Sequence, residues 1–448
     1  MREIKFSADR LVSALLNLSE HEPVCLLDSC GVSHLGSHLL IAGIKPLEIV
    51  EISNDDAWQT LEFLDRKFSD PNLAFIFSVS YDFGLKMENI NSRSKKSSIL
   101  GEPDVFLAAF DCLIVHDYQT GITRLMGKEK RFDEIERVLG ESEAVHFEID
   151  TSVTSEISSN FTREHYIETV GKIQEHIKRG DTYQTNLTQQ LRAKLPETLT
   201  APRIFWRLRK SHPAPFAAFL KRENDAVVSI SPERFFKVSS PKASHSARII
   251  STSPIKGTRR RGRTAEEDLN LRNELLTSEK DLAENTMIVD LMRNDLGRIC
   301  EFGSVAVEKL CDLETHPTLF HLVSTIKGEL RENTNFSDIL KAVFPCGSIT
   351  GAPKISTMRI IDSLETANRG LSMGAIGYSV QSGKFNLENS FDLNVAIRTI
   401  VIRNNEAVFN VGGGIVIDSV PEHEYEETLL KARALLRALN ADYKNSFQ

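Results

Sequence analysis

The sequence predicts a fold built of strands and helices, with antiparallel strands leading, and three observations carry that expectation. Four short apolar runs, Val24-Cys-Leu-Leu, His38-Leu-Leu-Ile-Ala, Ala74-Phe-Ile-Phe-Ser-Val and Val105-Phe-Leu-Ala-Ala-Phe, are parted by polar turns within the first 150 residues, the pattern of an antiparallel lobe. Serine or threonine ahead of an apolar stripe at helical spacing recurs at Thr162, Ser278 and Ser419. Strand-like runs return at Ala247 to Thr252, Phe391 to Arg398 and Val408 to Val416. A chain of 448 residues has the length of about three average domains or one large two-lobed unit.

Taken in order, the stretch from Lys86 to Asp104 turns polar and charged, so a surface loop of weak order is expected there. Asp150 to Asn160 is rich in Ser and Thr and marks a boundary between an N-terminal lobe, 1–155, and a second region, 156–448, two lobes that could also share sheets and fold as one unit. Thr162 caps a helix through Tyr166, Val170, Ile173 and Ile177 that Gly180 stops. Ser278-Glu-Lys-Asp281 reads as a capping box for a helix through Leu282, Met287, Ile288, Leu291 and Met292. Lys354 to Leu364 has a helical pattern, and Ser419-Val-Pro-Glu422 opens the last helix, with Leu429, Leu430, Leu435, Leu436 and Leu439 on its apolar side.

Composition narrows the class. A net charge of -8 gives no general reason to expect a nucleic-acid partner, and the basic run Arg259 to Arg263 is local. The cysteines, Cys25, Cys30, Cys112, Cys300, Cys311 and Cys346, form no CxxC pair and no zinc spacing, and reduced thiols fit the cytoplasm. The N-terminus lacks a signal peptide's apolar core, and no stretch approaches ~20 apolar residues, so a soluble protein away from the membrane is expected.

Pro254-Ile-Lys-Gly-Thr258 sets one lysine between a proline that fixes φ and a permissive glycine, in a turn after the Ala247 to Thr252 strand. Lys256 is then either a solvated loop lysine or an amine presented to a cleft, where nearby cations or desolvation favour the neutral, nucleophilic form. Acidic pairs three residues apart recur on two of the predicted helices, Asp281 with Glu284 and Glu424 with Glu427. Each pair alone reads as a solvated helix face. Converging helices would make an all-oxygen site of the kind that suits magnesium, whereas zinc asks for histidine or thiolate.

Phe344-Pro-Cys-Gly-Ser-Ile-Thr-Gly-Ala-Pro-Lys354 fails the GxxxxGK[ST] spacing of a nucleotide loop. Its glycines and Thr350 fit either a tight turn or a backbone cradle for a carboxylate. Gly412 to Gly414 interrupt a strand, which weakens it unless something approaches the backbone closely. Alternation places Leu393, Val395 and Ile397 on one side of a strand and Asp392, Asn394 and Arg398 on the other. Arg398 fits either a fork onto a substrate carboxylate or an ion pair with Asp392.

These pieces occur in one order: Ser231-Pro-Glu-Arg-Phe235, Pro254-Ile-Lys-Gly-Thr258, Asp281 to Asp295, His321-Leu-Val-Ser, Gly347 to Lys354, Gly374-Ala-Ile-Gly-Tyr378, Asp392 to Arg398 and Gly412-Gly-Gly-Ile-Val. Over residues 160–440 the series resembles the chorismate-utilising enzymes. The implied fold is α+β, like anthranilate synthase component I, with large, mainly antiparallel sheets packed together and helices outside. The resemblance implies magnesium (Mg2+) on Glu284 and Glu427, with Asp281 and Glu424 beside them. Chorismate's carboxylates fall to Thr350, Gly351 and the rest of the Ser348 to Lys354 segment, Tyr378, Arg398 and the Gly412, Gly413 and Gly414 backbone. His321 lies near the ring, and Gln184 stands where isochorismate and salicylate synthases carry a water-activating lysine. Some relatives hold tryptophan in the N-terminal lobe, and Leu26-Leu-Asp-Ser29 lies in the comparable region.

The lysine form of Pro-Ile-Lys-Gly-Thr resembles the aminodeoxychorismate-forming branch, whereas anthranilate synthases carry alanine where Lys256 stands. The implied reaction joins chorismate and ammonia, with Lys256 attacking ring C2 and Glu233 the acid for the departing C4 hydroxyl. Glu233 could instead be a structural partner of Arg234. No Gly-x-Cys-x-Gly nucleophile turn occurs, so ammonia is expected from a glutamine amidotransferase subunit in a heterodimer that need not be permanent. The rival activities are anthranilate synthase, against which Lys256 counts, and isochorismate formation, against which Gln184 counts. A third reading is a silent regulatory subunit of the same fold, against which Lys256, Glu233, Glu284 and Glu427 count together.

Overall fold

The four apolar runs of the first 150 residues all form strands, but two sheets share them. The computed structural model describes residues 1–448 apart from 55, 91–100, 143–154, 240–246, 316–318, 382 and 442–448. Among the described residues, a 12-stranded sheet takes Val24–Asp28 and Leu39–Ile44, and the later strand Phe216–Lys221 pairs directly with Val24–Asp28. A 10-stranded sheet takes Ala74–Val79 and Val105–Phe110, and Ala375–Val380 pairs with Ala74–Val79. Both junctions are antiparallel, and each sheet draws strands from either side of residue 155. Burial explains the sharing. Ala74–Val79 and Val105–Phe110 are buried at every position, so they need cover on both faces and a partner along both edges.

Cys25, Ile41 and Ala218 of the first sheet meet Ile76, Phe106 and Tyr378 of the second in a core between them. Helices cover the outer faces, with Leu11, Phe205 and Leu435 on the 12-stranded sheet and Leu64, Ile288 and Ile339 on the 10-stranded one. This is the α+β architecture expected, two large antiparallel sheets face to face with helices outside.

Local chemistry sets the elements near the site. Thr162 caps Arg163–Lys178 by accepting from the His165 N–H, and Ser278 caps Glu279–Gly297 by accepting from the Asp281 N–H at 3.3 Å. The Asp281 carboxylate accepts from Arg259 at 3.2 Å, the contact it makes in place of a capping box. Ser419 is not the cap of Pro421–Ala438. Val420 holds that position with Pro421 at the first helical residue, where a missing N–H is not needed, and Ser419 Oγ donates to Glu424 at 2.7 Å. Of the polar 86–104 stretch, residues 91–100 lie outside the described residues. Likewise 143–154 lie outside them, but Glu156–Ser159 is a strand paired with Gln184–Lys194, which moves structure into the expected boundary.

The triple glycine does not break its strand: Glu406–Ile415 pairs continuously with Gln184–Lys194. A Cβ on Gly412 would lie 2.1 Å from the Leu187 carbonyl oxygen, and one on Gly414 would lie 2.1 Å from Gln184 Nε2. Those two glycines serve the neighbouring strand. Only above Gly413 is there room, where the nearest atom is Glu424 Oε2 at 3.4 Å.

Arg369, buried to 3% exposure, ties this strand pair to the 347–352 turn. Its guanidinium donates to Glu365 Oε1 at 2.7 Å and Oε2 at 2.9 Å, to the Ile349 carbonyl at 2.9 Å and to the Asn186 carbonyl at 2.8 Å. Glu365 also accepts from the Thr188 N–H and hydroxyl at 2.8 and 2.9 Å. Glu365→Ala leaves the guanidinium buried without a counter-charge, which should cost about 3–5 kcal/mol in urea unfolding. A loss below about 1 kcal/mol, the scale of an exposed pair, would show that the pair does not clamp strand to turn.

Candidate active site

Lys256 stands on the strand Ile255–Arg260, not in a loop. The pairing of that strand with Leu319–Glu329 slips between Ile255 and Thr258, so Lys256 and Gly257 occupy the irregularity, with Gly257 at φ +84. A Cβ there would meet Leu275 Cδ1 at 2.9 Å and Asp281 Cβ at 3.0 Å, which explains the glycine. Lys256 Nζ donates to the Ser348 carbonyl at 3.4 Å. The basic run that follows is not its neighbour: Arg259 pairs with Glu274 and Asp281, Arg260 with Glu267 and Arg261 with Asp268. Carboxylates surround the lysine instead. Its charge bears on Glu233, Glu284 and Glu427, residues drawn from three separate elements.

Glu233 is buried at the corner before Arg234–Ser239. Burial pushes its carboxyl above the usual range, against the opposing pull of the Ser348 hydroxyl, the Lys256 charge and the Ile255 N–H. Its Oε1 has no hydrogen-bond partner. The expected alternative, a pair with Arg234, is not formed: Arg234 forks onto Asp392 at 2.9 and 3.0 Å and also donates to the Leu35 carbonyl at 2.8 Å. The same fork removes Asp392 as a partner for Arg398.

The helices Glu279–Gly297 and Pro421–Ala438 approach at their N-terminal turns, where Lys280 Nζ lies 3.5 Å from Glu424 Oε1. Burial raises the Glu284 carboxyl, and no hydrogen bond reaches it among the described residues. Glu427 sits below the usual range: burial pushes it up, but the charges of Lys431, at 2.7 Å, and of Lys280 and Lys256 outweigh that. Asp281 is engaged by Arg259, and Glu424 by Ser419 and Lys280. Among the described residues no three Asp, Glu, His or Cys side chains close into a metal cage. Glu284 feels the charge of Glu427, which also pairs with Lys431, and two such carboxylates fit an ion keeping most of its waters.

Gly351 and Thr350 face the strand Gln184–Lys194. Gly351 has φ +144, and a Cβ on it would lie 2.0 Å from the Gln184 carbonyl oxygen. The Thr350 hydroxyl donates to the Cys346 carbonyl at 3.0 Å, inside the turn. Lys354 is committed to Asp295 at 2.6 Å and to the Val343 carbonyl at 2.8 Å. Gln184 Oε1, Thr185 Oγ1 and Asn186 Oδ1 are buried without partners. His321 lies one strand from Lys256, its Nδ1 2.8 Å from Thr258 Oγ1.

One expected residue, Tyr378, lies elsewhere, and Arg398 is set differently from the alternation expected of it. Tyr378 points into the core between the sheets and lines a cavity of about 140 Å³ with Asp28, Ser29, Lys237 and Asn389, because alternation along Ala375–Val380 turns Ile376 and Tyr378 to that side. Arg398 follows the end of the strand Asn389–Val395 with φ 49, so the expected alternation stops before it. Burial lowers its guanidinium, whose charge is felt by His212. Sequence reasoning missed the Ser348 carbonyl as a contact of Lys256. It also missed the Glu365 and Arg369 pair, whose i,i+4 spacing was a usable signal.

A family model described as chorismate binding enzyme matches residues 22–437. The chain is 36% identical over 427 residues to aminodeoxychorismate synthase component 1 of Escherichia coli (strain K12), covering 93% of this chain and 88% of that protein. It is also 36% identical over 352 residues to anthranilate synthase component 1 of Aquifex aeolicus (strain VF5), covering 75% of this chain and 68% of that one. The crystal structure of anthranilate synthase component I from Streptococcus pneumoniae TIGR4 matches with a TM-score of 0.77 at 27% identity, covering 91% of this chain and 94% of that chain. With ordered motifs, paired sheets and a match along most of its length, this chain belongs to the chorismate-binding enzymes.

Proposed function

We propose that the protein aminates chorismate with ammonia to 4-amino-4-deoxychorismate, keeping the enolpyruvyl group, as a step toward 4-aminobenzoate and folate. Overall identity does not choose between this reaction and anthranilate formation, since relatives named for each reach the same 36%. The observation that carries the choice is Lys256, set among Glu233, Glu284 and Glu427 at the position where the resemblance gives anthranilate synthases an alanine. Relatives named component 1 support a second component, and a glutamine amidotransferase delivering ammonia fits that place.

In this reading the Lys256 amine, once it has given up its proton, forms a bond to ring C2 as the C4–O bond breaks. Glu233 gives its proton to the departing hydroxyl, which leaves as water. Ammonia then adds at C4, the C2–N bond breaks to release Lys256, and the surplus proton returns to Glu233. A raised Glu233 suits this work, because its protonated form persists closer to neutral pH. Glu284 and Glu427 are the residues that would hold magnesium, with Asp281 and Glu424 beside them. Bound there, the ion supplies charge neutralisation and orientation of a substrate carboxylate. The unpartnered polar atoms of Gln184, Thr185 and Asn186 support a polar molecule against that strand.

Mass spectrometry of the product from chorismate, magnesium and ammonium at mildly alkaline pH tests the reading, and anthranilate or isochorismate in place of the amino product would overturn it. Without ammonia, Lys256 should gain the mass of an adduct. Lys256→Ala should lose the adduct and slow turnover by ~10²-fold or more. Glu284→Gln keeps size and removes charge, so the magnesium concentration giving half-maximal rate should rise at least ~10-fold while thermal unfolding stays put. An unchanged requirement would show that this carboxylate holds no metal.

A further inference from the structure

Between Val24–Asp28 and Leu39–Ile44, strands of the first sheet, the turn His34 to Ser37 reaches across to the second. The Ser37 N–H donates to the His34 carbonyl at 2.8 Å, and Leu35 and Gly36 lie at φ 51 and φ 75, the signs of a type I′ turn. Glycine takes that backbone freely, whereas a leucine is crowded there, so the conformation of Leu35 must be held by contacts of the turn. Two contacts hold it, and each lands beside a group of the site. The Leu35 carbonyl accepts from Arg234 at 2.8 Å, and Arg234 follows Glu233 in the chain. The His34 ring, 2% exposed, bonds through Nδ1 to the Glu314 carboxylate. A carboxylate oxygen accepts, so Nδ1 carries the hydrogen.

Glu314 stands opposite His321. Ala306–Thr315 pairs with Leu319–Glu329, with Glu314 matched to His321 and Leu313 to Leu322. Leu313 and Leu322 pack together with Leu275, so Glu314 and His321 share the other face. From the opposite side Thr258 is matched to His321 as well, and its Oγ1 lies 2.8 Å from His321 Nδ1. Thr258, His321 and Glu314 thus form one row across three strands, with neighbouring Cβ atoms roughly 4.5–5.5 Å apart. Among the described residues Ala306–Thr315 pairs with no second strand, so its outer edge has no ladder to hold it. His34 supplies a hold from the other sheet. We infer that His34 is a positioning residue for His321: its bond to Glu314 fixes the outer strand and the carboxylate that stands beside that imidazole. The inference rests on the amination reading for what His321 faces, the ring of chorismate.

The test is a double-mutant cycle on the rate of chorismate consumption, with His34→Ala, His321→Ala and the two together. His34→Ala should lower kcat roughly 10-fold with KM for chorismate within about twofold, because the groups that bind chorismate are untouched. In the His321→Ala background the same change should lower kcat by less than about twofold, since a brace for a missing ring has nothing left to hold. His34→Asn keeps an N–H close to the place of Nδ1 and should recover most of the lost kcat, whereas His34→Leu keeps bulk without a donor and should not. An equal loss from His34→Ala in both backgrounds overturns the proposal, as does a KM that rises as far as kcat falls or an asparagine no better than leucine. Should His34→Ala not fold, or His321→Ala turn over too slowly to follow, the asparagine and leucine variants decide. Chorismate consumption is read whatever the product, so a native product other than the amino compound sinks the amination reading alone, and the cycle still decides the role of His34.

Discussion

A guanidinium taken out of water must be met by acceptors on every side, and Arg369 is met by four bonds whose acceptors come from three places: Glu365, the turn carbonyl of Ile349 and the strand carbonyl of Asn186. Because those bonds have direction, they fix the turn against the strand. Gly351 then lies so close to Gln184 that no side chain is tolerated, and Asn186 donates its N–H to the Thr350 carbonyl at 2.7 Å. Ser348, three residues earlier, is thereby held with its carbonyl toward Lys256. The aromatic face of Tyr81, 4.4 Å from the guanidinium carbon, closes the last side.

The charges of the site are divided by environment. Glu233 and Glu284 are raised by burial, whereas Glu427 is held low by Lys431. A raised carboxyl binds its proton more tightly folded than unfolded, so Glu233 and Glu284 favour folding at acid pH and lose that contribution as pH rises through their folded values. At neutral pH these acids are a stability cost carried for chemistry. The arginines after Lys256 take no part in this balance, because the acidic helix Ala265–Thr277 and its neighbour neutralise them.

Much of this was legible in the sequence, and the reasons it stopped are specific. Thr162 and Ser278 announce their helices because capping is local chemistry, and the apolar runs announce their strands for the same reason. The convergence of the two acidic helices was readable only as a possibility, since which sheet a helix covers is a long-range fact. Tyr378 went astray because period-two alternation fixes relative faces but not which face looks at the cleft. Ser419 has the right residue type one position too early, and its hydroxyl serves Glu424 instead. Arg234 and Asp392, far apart in sequence, take each other and leave Glu233 and Arg398 without the partners that nearest-neighbour reasoning gave them.

The sharing of both sheets across residue 155 also governs how the molecule comes into being. Ala74–Val79 closes one edge against Ala375–Val380, a partner about 300 residues later in the chain. Val24–Asp28 waits in the same way for Phe216–Lys221. On a ribosome adding roughly 5–20 residues per second, the first strands emerge tens of seconds before the segments that shelter them. During that interval their edges and apolar faces are open to other chains, so the birth of this protein depends on chaperones or dilution more than its finished, well-covered form would suggest.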